Sequence, residues 1–427
     1  MSKSKANTPF TAYQKTVIAL LAIVQFTIIL DFMVMAPLGD MLMKTMHLKA
    51  TQFASAVSAY AFSAGISGLL AAGFADKYDR KKLLLFFYCG FITGTLLCGT
   101  ASTFPLLLFG RIVTGLFGGV LGAVSMAIIT DLFSFEQRGR VMGFVQMAFA
   151  VSQVAGIPVG LYLANHLGWQ APFLLIVGLS IITAIVVLTR LKPVEVIKTV
   201  SESSPLCHLQ NTVSKKYYLL PFITTALLSI GGFMMMPFST AFIINNVGIT
   251  QSQLPVIYVV TGIGSMILLP LIGKLSDKAG KLPTFLAGTT LAMVMVVVFT
   301  HLNPIPVWEL ILINTIMFAG IMSRMIPSQA LMTAIPEHKD RGAFMSINSS
   351  LQQFAGGVAS VIAGMIVYQD STQHIYRFPV LGYVCVSIMV LCAILMYTIN
   401  KMIIKKQQAI NQPAQVEKAL ESVWSIE

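Results

Sequence analysis

Charge is what this chain has least of: Asp, Glu, Lys and Arg make up 10% of its 427 residues, while 56% are hydrophobic. A soluble domain carries about 25% charged residues, because its surface must be hydrated. A chain this poor in charge cannot clothe a water-facing surface of its length, which excludes an ordinary soluble protein. The mean hydropathy of +0.80 says the same. Acids are scarcer than bases, 16 against 28. The resulting charge of +12 does not read as a nucleic-acid surface, since a basic patch needs a solvated face. Histidine is rare too, with 6 residues, and cysteine rarer, with 5. The cysteines form no C-x-x-C pair and no metal-ligand spacing, and four of them, Cys89, Cys98, Cys385 and Cys392, fall in apolar runs. Neither a metal nor a cofactor is expected, and an enzyme would want a nucleophile–base pair or a histidine cluster that is missing here.

What the chain has instead is long apolar runs. A membrane span needs about 20 such residues to cross a hydrocarbon layer of about 30 Å. Twelve runs qualify, near 16–39, 52–75, 83–102, 105–131, 141–165 and 170–190, then 218–244, 253–275, 283–302, 306–334, 343–368 and 377–400. The first run is too long, and lacks the small-residue cleavage site, to be a cleaved signal peptide. The expected fold is an all-α polytopic membrane protein of about twelve helices in two six-helix pseudo-repeats. Its parts are an N-terminal bundle over 1–190, a polar linker over 191–217, a C-terminal bundle over 218–401 and a tail over 402–427. Lys and Arg crowd the tails, the linker and alternate loops, whereas the opposite side holds only Lys44, Lys49 and Arg377. The positive-inside rule then puts both termini in the cytoplasm, and a multi-pass protein of the cytoplasmic (inner) membrane is expected.

The halves repeat in their loops. Asp76-Lys77, between the second and third runs, recurs as Asp277-Lys278 between the eighth and ninth. Arg138-Gly139, between the fourth and fifth, recurs as Arg341-Gly342 between the tenth and eleventh. Parallel six-helix repeats with a binding site between them near the midplane form a transporter architecture. Acids and bases kept at matched cytoplasmic loops suggest a conformational latch, with Asp76, Arg80 and Asp277 set against Arg138 and Arg341 and against helix ends.

Ionisable groups at membrane depth are costly and therefore candidates for function. Asp31 is the one acid well inside a span, which makes it the candidate proton carrier. Counting 1.5 Å per residue from the outer ends sets Asp31 roughly 13 Å deep and Arg111 roughly 9 Å deep, so the two are placed to pair or to compete for a proton. Burial disfavours a charged carboxyl and a neighbouring cation favours it, so a movement that alters their separation alters proton binding. Arg324 counts out near the midplane with no acid close by in sequence. It is the candidate for a substrate contact in the cavity, along with Gln25, Gln146, Asn245 and Asn314. Met235, in the run Met234-Met235-Met236-Pro237, is both an adaptable apolar wall and a place where proline loosens the helix.

Gly273-Lys274-Leu275-Ser276-Asp277-Lys278-Ala279-Gly280-Lys281 resembles the loop signature of the major facilitator superfamily, and Ala72-Gly73-Phe74-Ala75-Asp76-Lys77-Tyr78-Asp79-Arg80-Lys81 resembles it with two glycines replaced. Arg111-Ile112-Val113-Thr114-Gly115 and the fifth-span motif of Gly156, Pro158 and Gly160 are similar to those of its drug:proton antiporter and arabinose-efflux-like branch. The resemblance implies alternating access, a cavity lined by the first and fourth spans, and proton-coupled export of small amphiphilic, drug-like or sugar-like molecules. An uptake symporter or facilitator for a small anionic solute is the alternative on the same scaffold. The expected partners are a small-molecule substrate, protons and the lipid bilayer, with no nucleic acid, and the chain is expected to act as a monomer.

Overall fold

The computed structural model describes residues 10–74, 78–193, 210–337, 340–370 and 372–424. Its helices run α1 (Ala12–Val34), α2 (Gly39–Thr45), α3 (Ala50–Phe74), α4 (Arg80–Gly99), α5 (Phe104–Leu132), α6 (Phe135–Val151), α7 (Ile157–Leu167) and α8 (Ala171–Arg190). The second half continues with α9 (Lys216–Phe233), α10 (Met236–Asn245), α11 (Leu254–Ala279), α12 (Lys281–Thr300), α13 (Val307–Ala334), α14 (Arg341–Ile366) and α15 (Phe378–Trp424). A two-stranded antiparallel hairpin, Tyr368–Gln369 with Ile375–Tyr376, links the last two spans. The chain is thus an all-α polytopic membrane protein, and eleven stretches among the described residues are long and apolar enough to cross a membrane.

The twelfth long helix, α14, is the polar one, with Asn348, Ser349, Ser350, Gln352 and Gln353 within six residues. Lipid would disfavour these groups, and α14 packs along α3 of the first half and α9 of its own, with Asn348 and Ser350 buried. Small residues bring α3 and α14 together: a methyl group added at Gly364 would come within 2.4 Å of the Ala54 side chain. Close approach of this kind is how helices associate in a medium that offers no hydrophobic drive between them.

Three spans are broken, each at a proline. The first span ends as a helix at Val34 and resumes as α2 after Pro37. The seventh breaks at Met234–Met235, before Pro237 in the first turn of α10. The detached pieces α2 and α10 pack on each other at the rim opposite the termini, the far rim. In the fifth span Pro158 has no N–H to offer the carbonyl of Val154, four residues back. The backbone there widens into a π turn over Ser152–Gly156, a form frequent at functional sites.

The fourth span approaches the second more closely than any side chain would allow. A Cβ built on Gly115 would lie 2.4 Å from the carbonyl oxygen of Tyr60 and 2.1 Å from Ser63 Oγ. Gly115→Leu must push α5 off α3, and overpacking costs about 1–3 kcal/mol or more. The purified variant is expected to unfold well below the wild-type temperature. Gly122→Leu, where nothing lies within 4 Å, is the matched control, and equal unfolding of the two would refute the close-approach account.

Candidate functional site

Asp31 on α1 and Arg111 on α5 meet inside the first half: Arg111 Nη1 donates to Asp31 Oδ2 at 2.8 Å, and neither side chain is exposed at all. Thr95 Oγ1 on α4 donates to the other carboxylate oxygen at 3.3 Å. The guanidinium carbon lies 4.6 Å from the ring centroid of Tyr60 on α3, in reach of the negative face of the ring. Four spans therefore build this site, and Gly115 explains the contact with α3, since its missing side chain lets α3 and α5 approach where Tyr60 lies over Arg111.

The pair is incompletely satisfied. A guanidinium has five N–H donors, and Arg111 Nε and Nη2 find no hydrogen-bond partner. In a dry interior two charges hold each other only weakly better than the water they left, while removal of one partner costs about 3–5 kcal/mol.

The ring of Tyr60 joins this site to the seam between the halves. Phe32, next to Asp31 in the chain, packs on Tyr60 with centroids 5.4 Å apart and meets Phe233 of the second half edge-on at 6.0 Å. Phe32 also lines a cleft with Val57, Ala61, Phe233, Met236, Pro237, Gln353, Gly356 and Ser360. Its volume is about 10 Å³, room for a single water. Sequence reasoning missed Tyr60 and Thr95, because an aromatic or a threonine in an apolar run has no signature of its own.

Arg324 on α13 is 2% exposed, and its Nε and Nη2 also lack partners. The thiols of Cys385 and Cys392 on the last span lie within its electrostatic reach. Of the other expected cavity residues, Gln25, Asn314 and Met235 are half-buried and Gln146 is exposed. Asn245 lies elsewhere, in a cluster at the far rim that sequence reasoning did not anticipate. There Asp40 is fully buried and accepts from Lys44 Nζ at 2.8 Å, Asn245 Nδ2 at 2.6 Å and Gln251 Nε2 at 3.0 Å. Lys44 donates to Asn245 as well, and Asn165 donates to the backbone of Gln251. Both halves are tied together here.

The loops at the terminal end are arranged differently from a simple pairing of loop motifs. Arg80 is held by Asp131 at the end of α5, Nε to Oδ2 at 2.9 Å. Arg138 donates to the carbonyls of Phe133 and Thr130, so it caps the C-terminal end of α5. Asp277 is largely exposed and pairs with Lys281 at 2.5 Å. Asp340, at the start of α14, takes Lys215 and the Tyr218 hydroxyl. Asp76 lies outside the described residues, as does the Arg341 side chain. In the fifth span Gly156 and Gly160 lie against Leu30 and Val34 of the first, with Pro158 between them at the π turn.

The profile of the Major Facilitator Superfamily matches residues 21–323 and 221–425. The chain belongs to that superfamily. It is a transporter, not an enzyme. Among its relatives in Bacillus subtilis (strain 168), the uncharacterized MFS-type transporter YceJ is 26% identical over 354 residues, covering 82% of this chain and 88% of its own. Multidrug resistance protein 2 of the same organism is 23% identical over 275 residues, covering 63% and 68%. Among solved structures, a bacterial homologue of the human lysosomal transporter Spinster, in an inward-facing and unoccupied conformation, superposes with a TM-score of 0.76 at 15% identity. It covers 93% of this chain and 99% of its own, a likeness of fold alone. As a member of this superfamily the chain acts on a small-molecule substrate in the membrane.

Proposed function

We propose that this transporter is a proton-coupled exporter of small amphiphilic, drug-like or sugar-like molecules, acting as a monomer in the cytoplasmic membrane with both termini in the cytoplasm. Two six-helix units, 1–190 and 218–401, rock about the seam, with 191–217 as linker and 402–427 as tail. One observation carries the reading: Asp31 and Arg111 are wholly buried yet half-satisfied, 2.8 Å apart, beside the path between the halves. A static ion pair has no need of so poor an environment, whereas a carboxyl that changes state during transport does. The multidrug-resistance names of some relatives support export, and the crowding of Lys and Arg at the terminal end supports the orientation. The closed far rim corresponds to a state open, or opening, toward the terminal side. Asp76, Arg80, Arg138, Asp277 and Arg341 serve as the latch at that side, while Gln25, Gln146, Asn314 and Met235 face the transport path as the halves move, and Asn245 reaches it when the far rim opens. Gly156, Pro158 and Gly160 provide the flexing point of the fifth span.

The energetics suffice. One proton crossing 100 mV releases about 2.3 kcal/mol, enough for roughly a fifty-fold solute gradient at tenfold per 1.4 kcal/mol. Inside-out vesicles given an acid interior and a panel of drug-like and sugar-like solutes test the proposal. Accumulation of a panel member that collapses with a protonophore is the expected result. Accumulation indifferent to the pH gradient would overturn it. Arg324 favours one second reading, proton-coupled uptake of an anionic solute, since an unpartnered guanidinium cannot shed its charge. Under that reading right-side-out vesicles concentrate the anion and Arg324→Ala loses the uptake.

A further inference from the structure

Two guanidinium groups lie deep in the spans. Arg111 has the Asp31 carboxylate at 2.8 Å, and Arg324 meets no acid. Among the described residues the acids of the second half lie toward its two ends. Asp277 is exposed and pairs with Lys281, Asp340 takes Lys215 and Tyr218, and Asp370 holds the hairpin loop. Glu337 follows the end of α13, and Glu309 occupies its first turn, about 22 Å from Arg324 along the helix. The titratable groups in reach of Arg324 are instead the thiols of Cys385 and Cys392, both buried on α15. Cys385 Sγ donates to the carbonyl of Gly231 on α9 at 3.0 Å. Arg324 therefore points into the interior of the second half, among α9, α13 and α15, and it is not among the residues lining the cleft between the halves.

The unpartnered atoms of Arg324, Nε and Nη2, are closed to water as well. They form one edge of the guanidinium, whose two parallel N–H bonds are the fork that chelates an anion. The group cannot shed its proton, and a buried charge without a counter-charge is strongly disfavoured. We infer that the second half binds a small monovalent inorganic anion, of the halide class, as the standing counter-ion of Arg324. Nε–H and Nη2–H hold it, and the free, wholly buried thiol of Cys392 adds a weak S–H donor. Charge and size set the class. One negative charge neutralises the guanidinium, whereas a divalent oxyanion leaves a net charge buried. A single atom also needs less room at so enclosed an edge than a carboxylate with a carbon body behind it. The ion does in the second half what the Asp31 carboxylate does in the first. It belongs to the fold and is not the transported solute, so the inference stands apart from the proton role of Asp31.

Thermal unfolding of the purified full chain tests it, with sodium gluconate replaced stepwise by sodium chloride at constant ionic strength. Bromide, sulfate and benzoate are run beside chloride. Chloride and bromide are expected to raise the midpoint saturably, by about 2–4 °C at roughly tenfold excess over the dissociation constant, and sulfate is expected to leave it unchanged. Arg324→Gln, which removes the charge, is expected to unfold at one temperature in chloride and in gluconate. Arg324→Lys keeps a point charge without the fork and is expected to need about tenfold more chloride for the same rise. A wild-type midpoint indifferent to the anion overturns the inference, as does a halide response undiminished in Arg324→Gln. Stabilisation by benzoate and not by chloride overturns it too, and gives Arg324 to a carboxylate-bearing solute. If Arg324→Gln does not fold, the wild-type titration and Arg324→Lys decide. None of these outcomes depends on Asp31, so failure here and failure of the proton-coupled reading remain distinct.

Discussion

Asp31→Asn is expected to abolish accumulation against a gradient while leaving solute exchange close to the wild-type rate. Asparagine has nearly the shape of a protonated aspartic acid and, like it, no charge. Its Oδ1 can still accept from Thr95, which lies 3.3 Å from the native carboxylate. In the proposed cycle residue 31 passes through a neutral state, and the Tyr60 ring still lies over the guanidinium. The variant is therefore held in the protonated form rather than unfolded. A gradient of roughly fifty-fold per proton at 100 mV falls to none, while exchange of labelled for unlabelled solute needs no change at residue 31 and continues. Proteoliposomes measure both, and an Asn variant that still concentrates solute would show that the proton travels elsewhere.

Asp40→Ala should shift the protein toward a state open at the far rim. Asp40 gathers three donors, two of them from the second half, while wholly buried. A hydrogen bond to a charged group contributes about 1.5–3 kcal/mol, and most of that acts only while the rim is closed. Loss of about 3 kcal/mol changes the closed-to-open ratio by about a hundredfold. Lys44, partly exposed, turns to water and does not oppose the change. Spin labels at Lys49→Cys and Ser252→Cys, both exposed positions on opposite halves, read the separation of the rim. A population at longer distance is expected in the alanine variant, and an unchanged distribution would remove Asp40 from the gate.

The spans were legible because lipid imposes one rule on all of them, and that rule needs no knowledge of neighbours. Even α14, below the apolarity of the others, has a length and a place after Arg341-Gly342 that mark it as a span. Counting residues from the span ends also set Asp31 and Arg111 at similar depths, and they do meet. The third member of that site was not legible. Tyr60 belongs to a run of small and apolar residues, and only the packing of α5 on α3 turns it toward Arg111. Gly115 signals a close approach but does not say by which helix. Asp40, Asp131 and Asp340 escaped for another reason: each lies at a span end, where an acid usually needs no partner. Asn245 and Gln251, which meet Asp40, and Lys215 and Tyr218, which meet Asp340, come from more than a hundred residues away in sequence. The Arg138 motif illustrates the limit of reading charges in pairs. Its guanidinium goes to carbonyls at the end of a helix, a partner that no count of acids reveals.

In the proposed cycle the carboxyl of Asp31 takes up and releases the coupled proton. Infrared difference spectroscopy of the transporter in membranes tests it directly, because a protonated carboxyl in a dry interior has a carbonyl stretch resolved from that of a carboxylate. Acid-minus-base spectra of the wild type should contain this band, and Asp31→Asn should lack it. A band that survives in Asp31→Asn would contradict the account.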